Sequence, residues 1–234
     1  MSDIFREVDE EIRQEQIINF LKTYGKYIAG GIVLLIIIYG GYRYFDAQQT
    51  AEREAAGEQF SAALENVAED DLAQAVADFA AIAGENSDSG YGLLARFRQA
   101  DALVAAREIQ GGVAVYDGIA DDSSVPEALR QLAGLFAVMA VIDSAPRDEI
   151  DRRVEPLIEP GAAWRQSALE LKGLAAYEAG DLEAALSIFK TIEEEAAQGS
   201  GLRARATQMI AITERRLEGR APEQAAASAT SEQD

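Results

Sequence analysis

The sequence predicts an all-α protein in which a single N-terminal transmembrane helix is followed by an α-solenoid of helix pairs and a C-terminal capping helix. Three observations predict this fold class: one long uncharged apolar run near the N-terminus, a pattern of small and aromatic residues repeated at the spacing of helix pairs, and a composition rich in Ala and poor in Pro. Since Ala is the best helix former and sheets need β-branched runs, the composition favours close-packed helices.

The apolar run lies between Lys26 and Arg43, with no charged residue between them and "IVLLIII" at its centre. As a helix, residues 27–45 would be about 28 Å long, close to the ~30 Å of hydrocarbon in a bilayer. Tyr residues stand at both ends, with Phe45 beside them at the second, as is typical of membrane interfaces. The run lacks the polar stripe of an ordinary core helix, although a buried helix of a soluble domain is the alternative. We predict a transmembrane anchor at 27–45.

The leader, residues 1–26, argues against cleavage because it contains six acidic residues and because bulky, polar residues follow the run. Four basic residues precede the run and two follow within the same distance, so the leader is predicted to be cytoplasmic and residues 46–234 to be translocated. Gly30 and Gly41 are three turns apart and share a helix face. We predict that this face packs on a transmembrane helix of a partner.

The charge and composition of residues 46–234 exclude several functions. This part has 16 basic and 35 acidic residues, a net charge of −19, which repels nucleic acid and anionic lipid headgroups. The chain has no His and no Cys, and it lacks a phosphate-binding Gly-rich loop. We therefore predict no enzyme, no catalytic residue, no cofactor and no metal. A small enzyme or a carbohydrate-binding module built from carboxylates is the alternative, and it would need a polar pocket.

An internal repeat runs through the translocated part. The stretches "DLAQAVADFAAI" (71–82), "EIQGGVAVYDGI" (108–119) and "DLEAALSIFKTI" (181–192) align without gaps, and "DEIDRRVEPLI" (148–158) is a degenerate fourth. The residues in the aromatic position are Phe79, Tyr116, Val154 and Phe189. They are 37, 38 and 35 residues apart, the spacing of helix-pair repeats.

Each repeat also has a preceding helix with a small residue eight positions before the acid, Ala100 before Glu108 and Gly173 before Asp181. The turn "AGD" (179–181) supplies a Gly C-cap and an Asp N-cap. This is the tetratricopeptide pattern, although unrelated amphipathic hairpins with the same period are the alternative. We predict a tetratricopeptide-like domain over 69–218 that ends in a capping helix at 202–218. A helical stalk at 46–68 merges into the first repeat, and a disordered tail spans 219–234.

The first helices of such pairs line the concave face of a solenoid. The residues predicted to face outward there are Phe97, Asp101 and Val104 in one repeat and Glu170, Leu174, Tyr177 and Glu178 in another. Apolar side chains among carboxylates suit an extended peptide, so we predict a protein-binding face; the alternative is that a neighbouring helix or the linker covers them. Trp164 follows a Pro-Gly break and is interpreted as a packing wedge between repeats rather than a ligand platform.

The order of leader, anchor, stalk and repeats, with "YGLLARFRQADALVA" (91–105) and "GAAWRQSALELKGLAAYEAGDLEAALSIF" (161–189), resembles the ancillary SecYEG translocon subunit family of bacteria. The resemblance implies a single-pass inner-membrane protein whose C-terminal domain is periplasmic. It implies association with Sec translocon subunits and a membrane-anchored prolyl-isomerase-like chaperone, and the handover of translocated client proteins. The alternative is a membrane-tethered tetratricopeptide scaffold for another envelope or cell-division complex.

Overall fold

A computed structural model describes residues 30, 34–44, 48, 50, 53–87 and 89–231, with side chains up to residue 219. The chain divides into two units, Met1–Ala55 and Ala56–Asp234. In the first unit, residues 34–44 are helical and exposed. The leader predicted at 1–26 lies outside the described residues, as does the anchor predicted at 27–45 except for residues 30 and 34–44. Within the described part of the chain, no helix combines the length and the apolar character needed to span a bilayer.

From residue 53 onwards the described chain is a succession of helices joined by turns. They are α1 (53–68), α2 (Leu72–Glu85), α3 (Gly90–Ala105), α4 (Ile109–Ala120), α5 (Glu127–Val141), α6 (Arg147–Val154), α7 (Arg165–Glu178), α8 (Leu182–Glu195) and α9 (Gly201–Ser231). A short 3-10 turn, Glu155–Leu157, follows α6. Helices that are consecutive in the chain pack on one another from α2 to α9, with α5 also contacting α7. The prediction of an all-α solenoid of helix pairs is confirmed.

Four pairs, α1/α2, α3/α4, α5/α6 and α7/α8, are followed by α9 as the capping helix. The first member of each pair is called its A helix and the second its B helix. The B helices α2, α4, α6 and α8 coincide with the four stretches in which the repeat was predicted, including the degenerate one at 148–158. That B helix is short because Pro156 has no N–H to continue the ladder, and the chain tightens into the 3-10 turn.

The core lies between the A and B helices, and the residues in the aromatic position of the repeat are at its centre. Phe79, Val154 and Phe189 are fully buried and Tyr116 is almost so. Phe79 packs on Phe60 of α1 with 5.4 Å between ring centroids. The position that was recognised as a sequence pattern is therefore the contact between the two helices of each pair.

Three of the four A-to-B turns share one backbone geometry. Their central residues, Asp70, Arg107 and Gly180, have positive φ angles of 64°, 67° and 77°. The next residue returns its N–H to the preceding helix at 2.9–3.0 Å: Asp71 to Asn66 O, Glu108 to Leu103 O and Asp181 to Ala176 O. The carboxylate of Asp181 then accepts the N–H of Ala184 at 3.2 Å and caps α8. Asp181 is the N-cap residue of α8, as predicted. The C-cap residue of α7 is Ala179, and Gly180 follows it in the left-handed conformation that Gly favours after a helix.

The last helix, α9, extends beyond the predicted end of the capping helix. Its backbone is helical to Ser231, whereas the sequence predicts a disordered tail from residue 219. Five Ala residues occur between 219 and 231. Since Ala has the highest helix propensity, this segment continues a helix that has already begun.

Candidate functional site

One side of the A helices carries a regular array of apolar side chains. In each pair, a residue of the A helix lies 16 positions before the residue in the aromatic position and is buried: Ala63, Ala100, Val138 and Gly173. One and four positions after these residues come Leu64 and Val67, Asp101 and Val104, Met139 and Ile142, and Leu174 and Tyr177. None of these eight is buried, and seven are apolar or aromatic. These eight positions are called the A-helix face.

Two pockets are lined by five of these residues together with their neighbours. The first pocket, of about 390 Å³, lies between α3 and α5, and its lining consists of Asp101, Val104, Ala105, Tyr116, Phe136, Met139 and Ala140. Phe97, Tyr116 and Phe136 form a triad of rings with centroids 5.7–6.2 Å apart. Rigid aromatic rings thus support this pocket, while Met139 is half exposed at its surface.

The polar group of the first pocket is already engaged. The hydroxyl of Tyr116 donates to a carboxylate oxygen of Asp101, whose other oxygen accepts Arg98 Nη1 at 3.2 Å. Burial, followed by the hydrogen bond to Asp101, raises the pKa of Tyr116 well above its ordinary value, so the phenol stays protonated and remains a donor. What the first pocket offers to a ligand is therefore mainly apolar surface.

The second pocket, of about 470 Å³, lies where the α5–α6 connection meets α7. Its lining consists of Ile142, Asp143, Ala145, Arg147, Ile150, Leu171, Leu174, Ala175, Glu178 and Ala179. The guanidinium of Arg147 donates to Asp151 at 3.0 Å and to Asp181 at 3.3 Å. Asp143 and Glu178 are exposed and make neither an ion pair nor a hydrogen bond through their side chains within the described residues. The pocket therefore has an apolar lining and two unpaired carboxylates.

The capping helix covers two residues that were predicted to be open. Arg205 of α9 donates to Glu170 at 2.6 and 2.9 Å, and the guanidinium of Arg216 lies 4.6 Å from the centre of the Tyr177 ring. Glu170 and Tyr177 are therefore covered by a neighbouring helix, which was the alternative to an open face. Phe97 is likewise buried, with 8 % of its surface exposed, because Tyr116 and Phe136 enclose its ring.

The remaining predicted residues of the concave face lie at the pockets. Asp101 and Val104 line the first, and Leu174 and Glu178 line the second. Sequence reasoning missed Phe136, Met139 and Asp143, which α5 and its following turn contribute. The signal that would have found α5 is Val138, placed 16 residues before Val154, but the degenerate repeat has no Gly-Asp turn to mark it. A role of any of these residues in binding remains a prediction.

Trp164 joins two helix pairs. Its indole Nε1 donates to Ala128 O at 2.8 Å, and the adjacent N–H of Ala163 donates to Gln131 Oε1 at 2.8 Å. Both acceptors are on α5, while Trp164 is the N-cap residue of α7. This geometry fits the interpretation of Trp164 as a wedge between repeats.

Outside the two pockets, the packing face predicted on the anchor stays a prediction. Gly30 and Gly41, predicted to pack on a transmembrane helix, are helical and exposed. In the parts of the chain that the structure describes, no three Asp or Glu side chains converge in a way that could hold a metal ion.

Stacked helix pairs with an apolar A-helix face are typical of repeat proteins that bind other proteins. The chain belongs to the family of tetratricopeptide repeat-like domains, and the match to this family covers residues 19–211. It is similar to the ancillary SecYEG translocon subunit of Escherichia coli (strain K12), with 26 % identity over 185 residues that cover 78 % of this chain and 86 % of the relative. The resemblance drawn from the sequence is thereby confirmed.

A solved structure is also similar to the chain. It is a crystal structure of nearly identical tetratricopeptide-like repeats assigned to a kinesin light chain of Podosopora anserina. The two share 13 % identity with a TM-score of 0.49, over 71 % of this chain and 88 % of the other.

Proposed function

We propose that this protein is a non-enzymatic, membrane-anchored adaptor that associates with the Sec translocon and binds polypeptides on its A-helix face. Its further partners are a membrane-anchored prolyl-isomerase-like chaperone and newly translocated clients, which it helps to hand over to periplasmic folding factors. Support comes from the similarity to the Escherichia coli translocon subunit along 78 % of the chain and from the repeat fold.

The observation that carries the proposal is the position of the exposed large apolar side chains. In the described part of the second unit these are Leu64, Val67, Leu94, Met139 and Trp164. The first four all lie on A helices, three of them on the A-helix face, and Trp164 has a packing role at α7. An unpartnered apolar surface repeated from one helix pair to the next is typical of an interaction site.

In this proposal residues 27–45 anchor the protein in the inner membrane, with residues 1–26 in the cytoplasm and residues 46–234 in the periplasm. The support is the uncharged run and the excess of basic residues before it. The Gly30 and Gly41 face packs on a transmembrane helix of the translocon, since small residues permit close approach.

The test is affinity capture of the full chain from native membranes in a mild detergent. Sec channel subunits should be recovered with the unmodified chain, and Gly30→Leu combined with Gly41→Leu should reduce their recovery while membrane insertion is unchanged. Leu64→Asp with Met139→Asp should instead remove the polypeptides held by the A-helix face. Ala77→Asp with Gln110→Asp, on exposed positions of α2 and α4, adds the same charge elsewhere and is the matched control.

Capture without Sec subunits would overturn the translocon proposal. Recovery of another envelope or cell-division complex in their place would support the scaffold alternative. Equal loss of bound polypeptides from the control variant would remove the A-helix face from the proposal, because charge alone would then explain the effect.

A further inference from the structure

We infer that the A-helix face selects polypeptide segments in which large apolar side chains stand beside Lys or Arg, with the apolar side chain in the first pocket and the basic one in the second. The inference rests on the proposed function, in that the face binds polypeptides. It adds the chemistry of the segment that binds, which follows from the different linings of the two pockets.

The first pocket has no free charge to offer a ligand. Its acid, Asp101, accepts from both Tyr116 and Arg98, so a basic side chain would have to compete with existing partners. The other lining groups are aliphatic, aromatic or thioether, and Met is a flexible residue that adapts to ligands of different shape. A Leu, Met or Phe side chain that enters this pocket removes apolar surface from water on both partners.

The second pocket differs because its unpaired charges are all negative. Asp143 comes from the α5–α6 connection and Glu178 from the end of α7, and neither has a cationic partner within the described residues. The cation in the lining, Arg147, already has the carboxylates of Asp151 and Asp181. An added anion would meet two uncompensated carboxylates, whereas an ammonium or guanidinium group would neutralise them.

The apolar lining of the second pocket fits the same ligand. Ile142, Leu171 and Leu174 provide a surface for the methylene stem of a Lys or Arg, whose charged end then reaches the carboxylates at the exposed edge. The acidity of the whole chain, with a net charge of −20, adds attraction at longer range that favours basic segments over acidic ones. In a segment with apolar and acidic side chains, the apolar side chain would bind in the first pocket, but the acidic one would be repelled at the second.

The test uses the full chain in phosphatidylcholine nanodiscs and three short fluorescein-labelled peptides with the same Gly-Ser spacers. One contains Leu and Lys, the second Leu and Glu, and the third Ser and Lys. Fluorescence anisotropy measures the dissociation constant of each, and empty nanodiscs provide the blank. The Leu-Lys peptide should bind about five- to tenfold more tightly than the Leu-Glu peptide, as expected for two partly exposed charge pairs, and this preference should shrink as salt is added.

Two variants separate the pockets. Asp143→Asn with Glu178→Gln should abolish the preference for Lys over Glu, whereas Glu85→Gln with Glu194→Gln, which removes two exposed charges from B helices, should retain it. Met139→Ser should weaken the Leu-Lys and Leu-Glu peptides alike and leave the Ser-Lys peptide unchanged. The inference is overturned if the first two peptides bind equally, if none binds, or if the preference survives loss of Asp143 and Glu178.

Failure of this inference and failure of the proposed function give different results. Capture of Sec subunits by a chain that fails to distinguish the peptides would leave the adaptor proposal in place and remove only the selectivity. Selective peptide binding by a chain that captures no Sec subunit would support the inference and contradict the proposed association with the translocon.

Discussion

Gly173 and Phe189 are the residues through which α7 and α8 approach each other. A Cβ added at Gly173 would lie 2.9 Å from two ring carbons of Phe189 and 3.3 Å from Ile188 Cγ2. Phe189 itself is fully buried. Because nothing larger than a hydrogen fits between the ring and the opposite backbone, the small residue and the aromatic one are a single packing feature. The sequence identified both residues as positions of the repeat, and the structure shows that these positions are in contact.

Substitution of either residue at this contact should destabilise the protein strongly. Phe189→Ala should lower the free energy of unfolding by about 3–5 kcal/mol, because it removes a buried ring and leaves a cavity. Gly173→Leu should lower it by at least about 1–3 kcal/mol through overpacking. Denaturant unfolding of the full chain in mild detergent, followed by far-UV circular dichroism, measures both. A Phe189→Ala variant that unfolds like the unmodified chain would contradict the packing described here.

Tyr177 should behave differently from Phe189, although the structure changes what is expected of it. As an open face residue it would cost almost nothing to remove, but its ring lies against Arg216. We therefore expect Tyr177→Ala to cost about 1–2 kcal/mol in the same unfolding measurement and Tyr177→Phe, which keeps the ring, to cost little. A loss with Tyr177→Phe as large as with Tyr177→Ala would mean that the hydroxyl, not the stacked ring, is what matters.

The carboxylate of Asp122 titrates at unusually low pH. Hydrogen bonds from the Ser124 hydroxyl at 2.6 Å and from Arg96 at 2.8 Å lower its pKa from 3.8 to about 2. Because the pKa is lower in the folded state, the stabilisation is complete above the unfolded value and is lost as the pH falls through the folded one. Stability conferred by Asp122 should therefore decline between pH 3.8 and about 2.

The side-chain carboxyl signal of Asp122, followed by NMR across this range, tests the shift directly. Asp122→Asn identifies the signal. In Ser124→Ala, which loses the hydroxyl donor, the inflection should move up towards 3.8. An inflection at or above that value in the unmodified chain would show that Ser124 and Arg96 do not hold the carboxylate in solution.

At the scale of elements, the A-to-B turn is one solution used three times with different residues. All three turns need a central residue with positive φ, which costs little for Gly and strains Asp70 and Arg107. Only the third turn has a Gly, Gly180, at this position. The Gly-Asp pair therefore made this turn easy to recognise in the sequence, whereas the other two turns lack that signal. The strained residues lie on the surface, where the fold tolerates them.

Exchange of residues between these turns should change stability in opposite directions. Arg107→Gly should raise the free energy of unfolding by about 0.5–1 kcal/mol, because relief of strain exceeds the entropy that Gly adds to the unfolded chain. Gly180→Ala should lower it by about 1 kcal/mol. Arg107→Ala is the matched control, since it removes the same side chain without relieving the strain. Stabilisation by Arg107→Ala equal to that by Arg107→Gly would contradict the argument from φ.

The pattern in the B helices was sufficient to predict the order of elements. Each B helix needs an aromatic or large aliphatic residue that enters the space beside a small one, so packing constrains the sequence and leaves a repeat. Even the degenerate stretch at 148–158 keeps Val154 in that position, fully buried. The prediction succeeded for the fold because the same physical contact recurs at every pair.

The candidate site was predicted only in part, for a physical reason. Exposed positions have no packing partner within the pair, so the pattern says which way they point but not which neighbouring element covers them. Glu170 and Tyr177 are covered because α9 brings Arg205 and Arg216 over α7, a contact between residues 35 and 39 positions apart. The pockets need α5, whose sequence has no Gly-Asp turn and was not recognised as an A helix.

At the scale of the whole molecule, charge and apolar length together predict how the protein is oriented relative to the membrane. The run between Lys26 and Arg43 carries no charge, whereas residues 46–234 have a net charge of −19. The basic residues nearest the run are four on its N-terminal side and two on its C-terminal side, and basic residues are retained in the cytoplasm. Acidic residues have little influence on orientation, so the acidity of residues 46–234 does not argue against their predicted translocation.

Reporter fusions should therefore distinguish the two sides of the predicted anchor. Alkaline phosphatase, which becomes active only outside the cytoplasm, should be active when joined after Leu217, at the end of the predicted domain. A fluorescent protein that matures only in the cytoplasm should be dark at that junction and bright when joined to the N-terminus. The excess of basic residues can be moved to the other end of the run by Lys22→Gln and Lys26→Gln combined with Gln48→Lys and Gln49→Lys. This variant should insert part of its molecules in the inverted orientation, because orientation follows the basic residues near the ends of the helix. Bright cytoplasmic fluorescence after Leu217 in the unmodified chain would place the A-helix face in the cytoplasm, out of reach of any translocated polypeptide.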